Sequence, residues 1–115
     1  KEIASQNKPV KLFVQVNTGL EPQKAGIAPA DADAFLKTCR NQYRLAITGL
    51  MCIPPATEQP EDTRPYFRRL RELRDEQAGI SRPHVELHEL SMGMSHDFAV
   101  AIEEGATIVR IGSLS

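Results

Sequence analysis

The chain has 115 residues, with 14 Lys and Arg against 15 Asp and Glu, for a formal net charge of -1. This length allows one domain and excludes a complete (β/α)8 barrel of about 200 residues or more, while the near-neutral charge argues against a general polyanion binder. No apolar run approaches the roughly 18 residues of a membrane helix, no signal-peptide pattern opens the chain, and two cysteines are too few for a disulfide framework, so a cytoplasmic protein is expected.

The elements alternate. Lys11 to Asn17, KLFVQVN, reads as a strand rich in β-branched and aromatic residues. Pro29 to Tyr43 reads as a helix with Ala32, Phe35, Leu36, Cys39 and Tyr43 on one apolar face, and Pro29 suits its first turn. Leu45 to Ile53 is a second strand, ended by Pro54-Pro55. Residues 56–63 form a polar loop. Pro65 to Ala78 is a second helix with Tyr66, Phe67, Leu70, Leu73 and Gln77 on one side, and Gly79 ends it. Val85 to Ser91 is a third strand. A third helix runs from the Gly93–Ser95 region to Glu104, with Phe98, Ala101 and Ile102 facing inward and Gly105 closing it. Thr107 to Ile111 is a fourth strand. The fold class is therefore α/β, a parallel βαβαβαβ unit. Lys1–Gln6 has the look of the tail of a preceding helix, and no closing helix follows the fourth strand. Four such strands make either a small open sheet or half of an eight-stranded barrel.

Side chains alternate across strands. In the first, Leu12, Val14 and Val16 share one face, opposite Phe13, Gln15 and Asn17. In the fourth, Val109 and Ile111 share a face, opposite Ile108, Arg110 and Gly112. In a barrel the aliphatic faces meet the helices and the mixed faces point inward. An arginine there needs an acceptor, either an internal partner or a ligand. Barrel active sites lie beyond the C-terminal strand ends, and phosphate often binds after strands seven and eight. Here those ends carry Ser91-Met92-Gly93-Met94-Ser95 and Arg110-Ile111-Gly112-Ser113. Glycine permits close backbone approach, serine hydroxyls donate, and a helix start favours anions. A capped turn is the alternative, with Ser95 as N-cap and Asp97 in the first turn.

Four blocks in order carry a resemblance: Asn17 to Gly26 (NTGLEPQKAG), Gly49 to Pro54 (GLMCIP), Leu90 to Asp97 (LSMGMSHD) and Val109 to Ser113 (VRIGS). Together they resemble the C-terminal half, strands five to eight, of the pyridoxal-phosphate homeostasis protein family. The resemblance implies that residues 1–115 form half of one alanine-racemase-like (β/α)8 TIM barrel. It implies binding of pyridoxal 5′-phosphate in vitamin B6 homeostasis, without turnover. Ser91, Met94 and Ser95 would line the phosphate site, Met94 by its backbone, and Gly112 and Ser113 would complete it. Arg110 would face the pyridine nitrogen, where a cation disfavours protonation and weakens the electron sink. The family's Schiff-base lysine belongs to the other half. None of Lys1, Lys8, Lys11, Lys24 and Lys37 matches its motif. The implied partners are the cofactor and pyridoxal-phosphate-dependent apo-enzymes, with a monomeric intact protein and neither nucleic acid nor membrane. The rivals are a racemase or decarboxylase of the same fold type and an α/β interaction module without cofactor.

Other residues read more plainly. His84 and His88 flank a strand without a convergent metal-ligand set. His96 adjoins the phosphate-like loop, either near the ligand or as an exposed first-turn residue. Cys52 has no flanks that would activate a thiol, and Cys39 sits on an apolar helix face. Arg68, Arg69, Arg71 and Arg74, interleaved with Glu72, Asp75 and Glu76, suit pairing along one solvated helix.

Overall fold

Four parallel strands, each hydrogen-bonded to the next in sequence, form the sheet of the computed structural model, which describes residues 12–22, 25–43, 46–55, 57–80 and 85–111. They are β1 (Leu12–Gln15), β2 (Ile47–Met51), β3 (Val85–Met94) and β4 (Ile108–Arg110). The spatial order 1-2-3-4 never reverses, unlike the order of a doubly wound sheet.

Helices fill the crossovers. α1 (Ala32–Thr38) is led by a 3₁₀ turn at Pro29–Asp31 and continued by a π-helical turn at Cys39–Tyr43, so the helical stretch spans the expected 29–43. α2 (Arg64–Ala78) follows a 3₁₀ turn at Pro60–Thr63 that lies inside the expected polar loop. That turn is tied by the Thr63 hydroxyl, which donates to the Pro60 carbonyl at 2.6 Å. α3 (Phe98–Glu103) is short. The α2 stripe Phe67, Leu70, Leu73 and Gln77 is buried as its spacing predicts. It packs with Val14, Val16, Leu36, Leu50, Leu90 and Met92 in one core. Each large apolar side chain withdrawn this way contributes about 1.5–3 kcal/mol of transfer free energy.

Several expectations shift. β3 extends three residues past Ser91, because the pairing with β4 breaks register between Ser91 and Met94 and then resumes. Gly93, at φ +101°, makes that irregularity possible; a Cβ there would sit 2.6 Å from the Ala101 Cβ. Phe35 does not face the core. It is 40% exposed and overhangs the β1 edge, lining a 490 Å³ groove with Leu12, Phe13 and Cys39. Among the described residues, only a single parallel bridge from Val16 to Ile27 lies beyond β1, and no strand of theirs covers that ring.

Ile102 is 56% exposed, and the buried stripe of the third helix is displaced by one residue. Asp97, Val100, Ala101 and Glu104 are the buried positions, spaced i, i+3, i+4, i+7. Both ends of that stripe are acidic, which an apolar-periodicity reading passes over. Ile111 is exposed rather than packed on a helix, because it lies past the end of β4. Lys1 to Lys11, Lys24, Leu45, His84, Gly112, Ser113 and the Tyr43 side chain lie outside the described residues.

Candidate functional site

The C-terminal ends of the strands gather the polar side chains. Asn17 closes the loop after β1 on itself: its Nδ2 donates to the Glu21 carbonyl at 2.7 Å and its Oδ1 accepts the Glu21 N–H at 3.1 Å. Gly19 lets this loop touch the next, since a Cβ there would lie 2.9 Å from Pro55 Cγ. Cys52 follows β2, and its N–H donates to the Ser91 carbonyl at 3.2 Å, continuing the ladder into β3.

Arg110 joins these ends. It sits opposite Met94 in the β3–β4 register. One guanidinium nitrogen donates to the Ser91 hydroxyl at 2.6 Å and another to the Cys52 carbonyl at 3.2 Å. The acceptor its mid-strand position demands is therefore internal. Both partners are neutral, and among the described residues no carboxylate pairs with it. A half-buried guanidinium without a counter-charge draws an anion or a basic ring nitrogen. Ser91, 8% exposed, accepts from Arg110 and keeps its own O–H to donate.

The turn after β3 is built by Asp97. The Met94 N–H donates to Asp97 Oδ1 at 2.9 Å, and the Asp97 N–H returns to the Met94 carbonyl at 3.1 Å. The Met94 amide is thus engaged, and the helix N-cap position belongs to Asp97 and not Ser95. Ser95 and His96 form the exposed crown of the turn. A 340 Å³ cleft lies between this turn and the β2–α2 loop, lined by Pro54, Pro55, Thr63, Gly93, Met94 and His96.

Cys52 is fully buried beside this cluster, and burial pushes its thiol up to about 12, against smaller opposing pulls from the Thr18 hydroxyl and Arg110. It is a packing residue, as is Cys39, 4% exposed. No group of three metal-ligating side chains occurs among the described residues. His88 is exposed, and its carbonyl accepts from Arg74 at 3.3 Å.

The arginine run behaves differently from its expected pairing within one helix. Arg68 and Arg71 reach from α2 to Glu104 at 3.2 and 3.0 Å, and Arg64, which spacing did not single out, joins them at 2.8 Å. Arg64 also pairs with Glu61 and, at 2.6 Å, with Glu103. Its hydrogen bonds from Arg64 and Arg68 hold the Glu104 carboxyl below the usual carboxylate range. This cluster ties the end of α3 to α2.

Pyridoxal phosphate requires donors around its phosphate, a group facing its ring nitrogen and a lysine at its aldehyde. Ser91, the Ser95 turn and Arg110 fit the first two. Lys37, exposed on α1, is the sole lysine among the described residues and does not fit the third.

The sequence matches the alanine racemase N-terminal domain profile over residues 1–115, and the chain belongs to that family. Within it, the chain is 53% identical over 104 residues to the pyridoxal phosphate homeostasis protein of Aquifex aeolicus, covering 90% of this chain and 44% of that protein. Its fold is similar to an unknown protein from Bifidobacterium adolescentis, at TM-score 0.84 and 32% identity, over 96% of this chain and 44% of that one. It is also similar to PipY of Synechococcus elongatus PCC7942 solved with pyridoxal phosphate bound, at TM-score 0.78 and 37% identity, over 95% and 50% of the two chains. The chain thus spans about half the length of these relatives. Among the described residues, no helix is long and apolar enough to cross a membrane.

Proposed function

We propose that this chain is the C-terminal half, strands five to eight, of a barrel that binds pyridoxal 5′-phosphate and serves cytoplasmic vitamin B6 homeostasis without turnover. The observation that carries the reading is Arg110, fixed at the strand ends by Ser91 and the Cys52 carbonyl, with no carboxylate paired to it among the described residues. The sequential parallel order, with β1 and β4 at its two edges, suits half of a closed barrel. The similarity to a pyridoxal-phosphate-bound structure at 37% identity supports the ligand.

In this reading Ser91 and Ser95 donate hydroxyl hydrogen bonds to the phosphate, and Met94 forms the corner of its turn. Gly112 and Ser113 complete the cradle after β4. Arg110 lies against the ring nitrogen and disfavours its protonation. When bound, the cofactor supplies an aldehyde and an electron sink; a cation at the ring nitrogen weakens that sink, which suits holding over turnover. The lysine that engages the aldehyde belongs to the other half of the intact protein. The intact protein is a monomer, and pyridoxal-phosphate-dependent apo-enzymes receive its cargo.

Absorbance titration of the intact protein with pyridoxal phosphate, before and after borohydride, tests this. A saturable, reducible band without amino-acid turnover is the expected result. Turnover would instead establish a racemase or decarboxylase, and no band would remove the cofactor altogether.

A further inference from the structure

We infer that Asp97 is the positioning residue of the phosphate turn, acting through its side-chain oxygen on the Met94 amide; this rests on the proposed binding site. An N-cap aspartate ordinarily spends its oxygen on the amides of the helix it starts. Asp97 occupies that position but makes no side-chain bond into α3. Its Oδ1 turns back to the Met94 N–H at 2.9 Å, while its own N–H donates to the Met94 carbonyl at 3.1 Å. The reciprocal pair locks Met94 to Asp97 as one unit. Asp97 is 8% exposed, so the lock is shielded from competing water.

Two further contacts make the lock rigid. Gly93, at φ +101°, brings the strand end against Ala101 on one side of the turn. Seven residues further along the same buried stripe, Glu104 anchors the far end of α3 to Arg64, Arg68 and Arg71. With Met94 engaged, an anion on this turn meets the Ser95 and His96 segment in one fixed orientation. The device needs an acceptor oxygen and not a charge. A carboxylate so close to a phosphate opposes it, and an amide oxygen in the same place does not.

The test compares Asp97→Ala and Asp97→Asn in the intact protein. Pyridoxal phosphate and inorganic phosphate are titrated separately, and hydrogen exchange at the Met94 amide is followed without ligand. Asp97→Ala should lose Met94 protection and bind both ligands about ten-fold more weakly, the loss of one shielded hydrogen bond. Asp97→Asn should keep the protection and bind at least as tightly as the wild type. Lost Met94 protection with unchanged affinity in Asp97→Ala would overturn the positioning role and leave the binding site standing. An equal loss in Asp97→Asn would show that charge and not the acceptor matters, and would overturn it too. Failure of the wild-type protein to bind pyridoxal phosphate would remove the proposed function and this inference with it.

Discussion

Arg110 on β4 donates to the Ser91 hydroxyl on β3 at 2.6 Å, a charge-assisted bond across neighbouring strands at the mouth of the sheet. It fixes the guanidinium where the loops after β2 and β3 converge, and it orients the Ser91 hydroxyl with its proton directed away.

Replacing Arg110 with Ala should therefore weaken pyridoxal phosphate binding more than replacing Ser91 or Ser95. Arg110→Ala removes the proposed ring contact and leaves the Ser91 hydroxyl without its Arg110 donor. Ser91→Ala leaves Arg110 its bond to the Cys52 carbonyl. Losses of about ten-fold or more for Arg110→Ala and a few-fold for either serine are expected from the usual worth of charged and neutral hydrogen bonds. Equilibrium absorbance titration reads them, and wild-type affinity in both Arg110→Ala and Ser95→Ala would contradict the assigned site.

Glu104 makes stability depend on acid. Its carboxyl is held below its ordinary value by hydrogen bonds from Arg64 and Arg68. A carboxylate with a depressed folded-state value adds stability above the unfolded value near about 4.3 and loses it as pH falls through the folded value. Glu104→Gln should destabilise the protein by about 2 kcal/mol at neutral pH. That is less than a fully buried ion pair, because Arg68 and Arg71 remain partly in water. Urea unfolding at pH 7 and pH 3.5 checks this: the difference between wild type and variant should shrink at the lower pH.

Gly49 is a packing requirement of β2. A Cβ there would lie 2.4 Å from the Glu89 carbonyl oxygen on β3 and 2.6 Å from the Phe13 ring on β1. The ring can rotate, but the backbone oxygen belongs to a paired strand and cannot. Gly49→Ala should cost about 3 kcal/mol, visible as a lowered melting temperature. An unchanged transition would mean that β2 and β3 separate more readily than their pairing implies.

Much of this was legible in the residues. Apolar spacing located the α2 stripe from Phe67 to Gln77, and strand alternation placed Arg110 on the polar face. What escaped were acids that count as polar in any pattern yet are buried because donors satisfy them. Asp97 is withdrawn by the Met94 amide and Glu104 by three arginines, so the α3 stripe moved off Ile102. The same blindness hid Arg64, whose partners Glu103 and Glu104 lie about forty residues away along the chain. Phe35 was misplaced for a different reason: periodicity finds an apolar face but not whether a strand lies beneath it.

Cys52 provides an alkaline counterpart to Glu104. Burial raises its thiol to about 12, against about 8.5 for a free cysteine. Between these values the folded chain keeps a proton that the unfolded chain has lost. Stability therefore falls as pH rises from about 9 towards 12, with a slope of up to about 1.4 kcal/mol per pH unit. Cys52→Ala should flatten that slope, though it also forfeits packing at neutral pH. In the native protein neither Cys39 nor Cys52 should react quickly with a thiol reagent at pH 8, since both are buried; denaturation should release both. Rapid native labelling of Cys52 would mean that the loop carrying its carbonyl opens readily, and Arg110 would then lack the second anchor on which its fixed position depends.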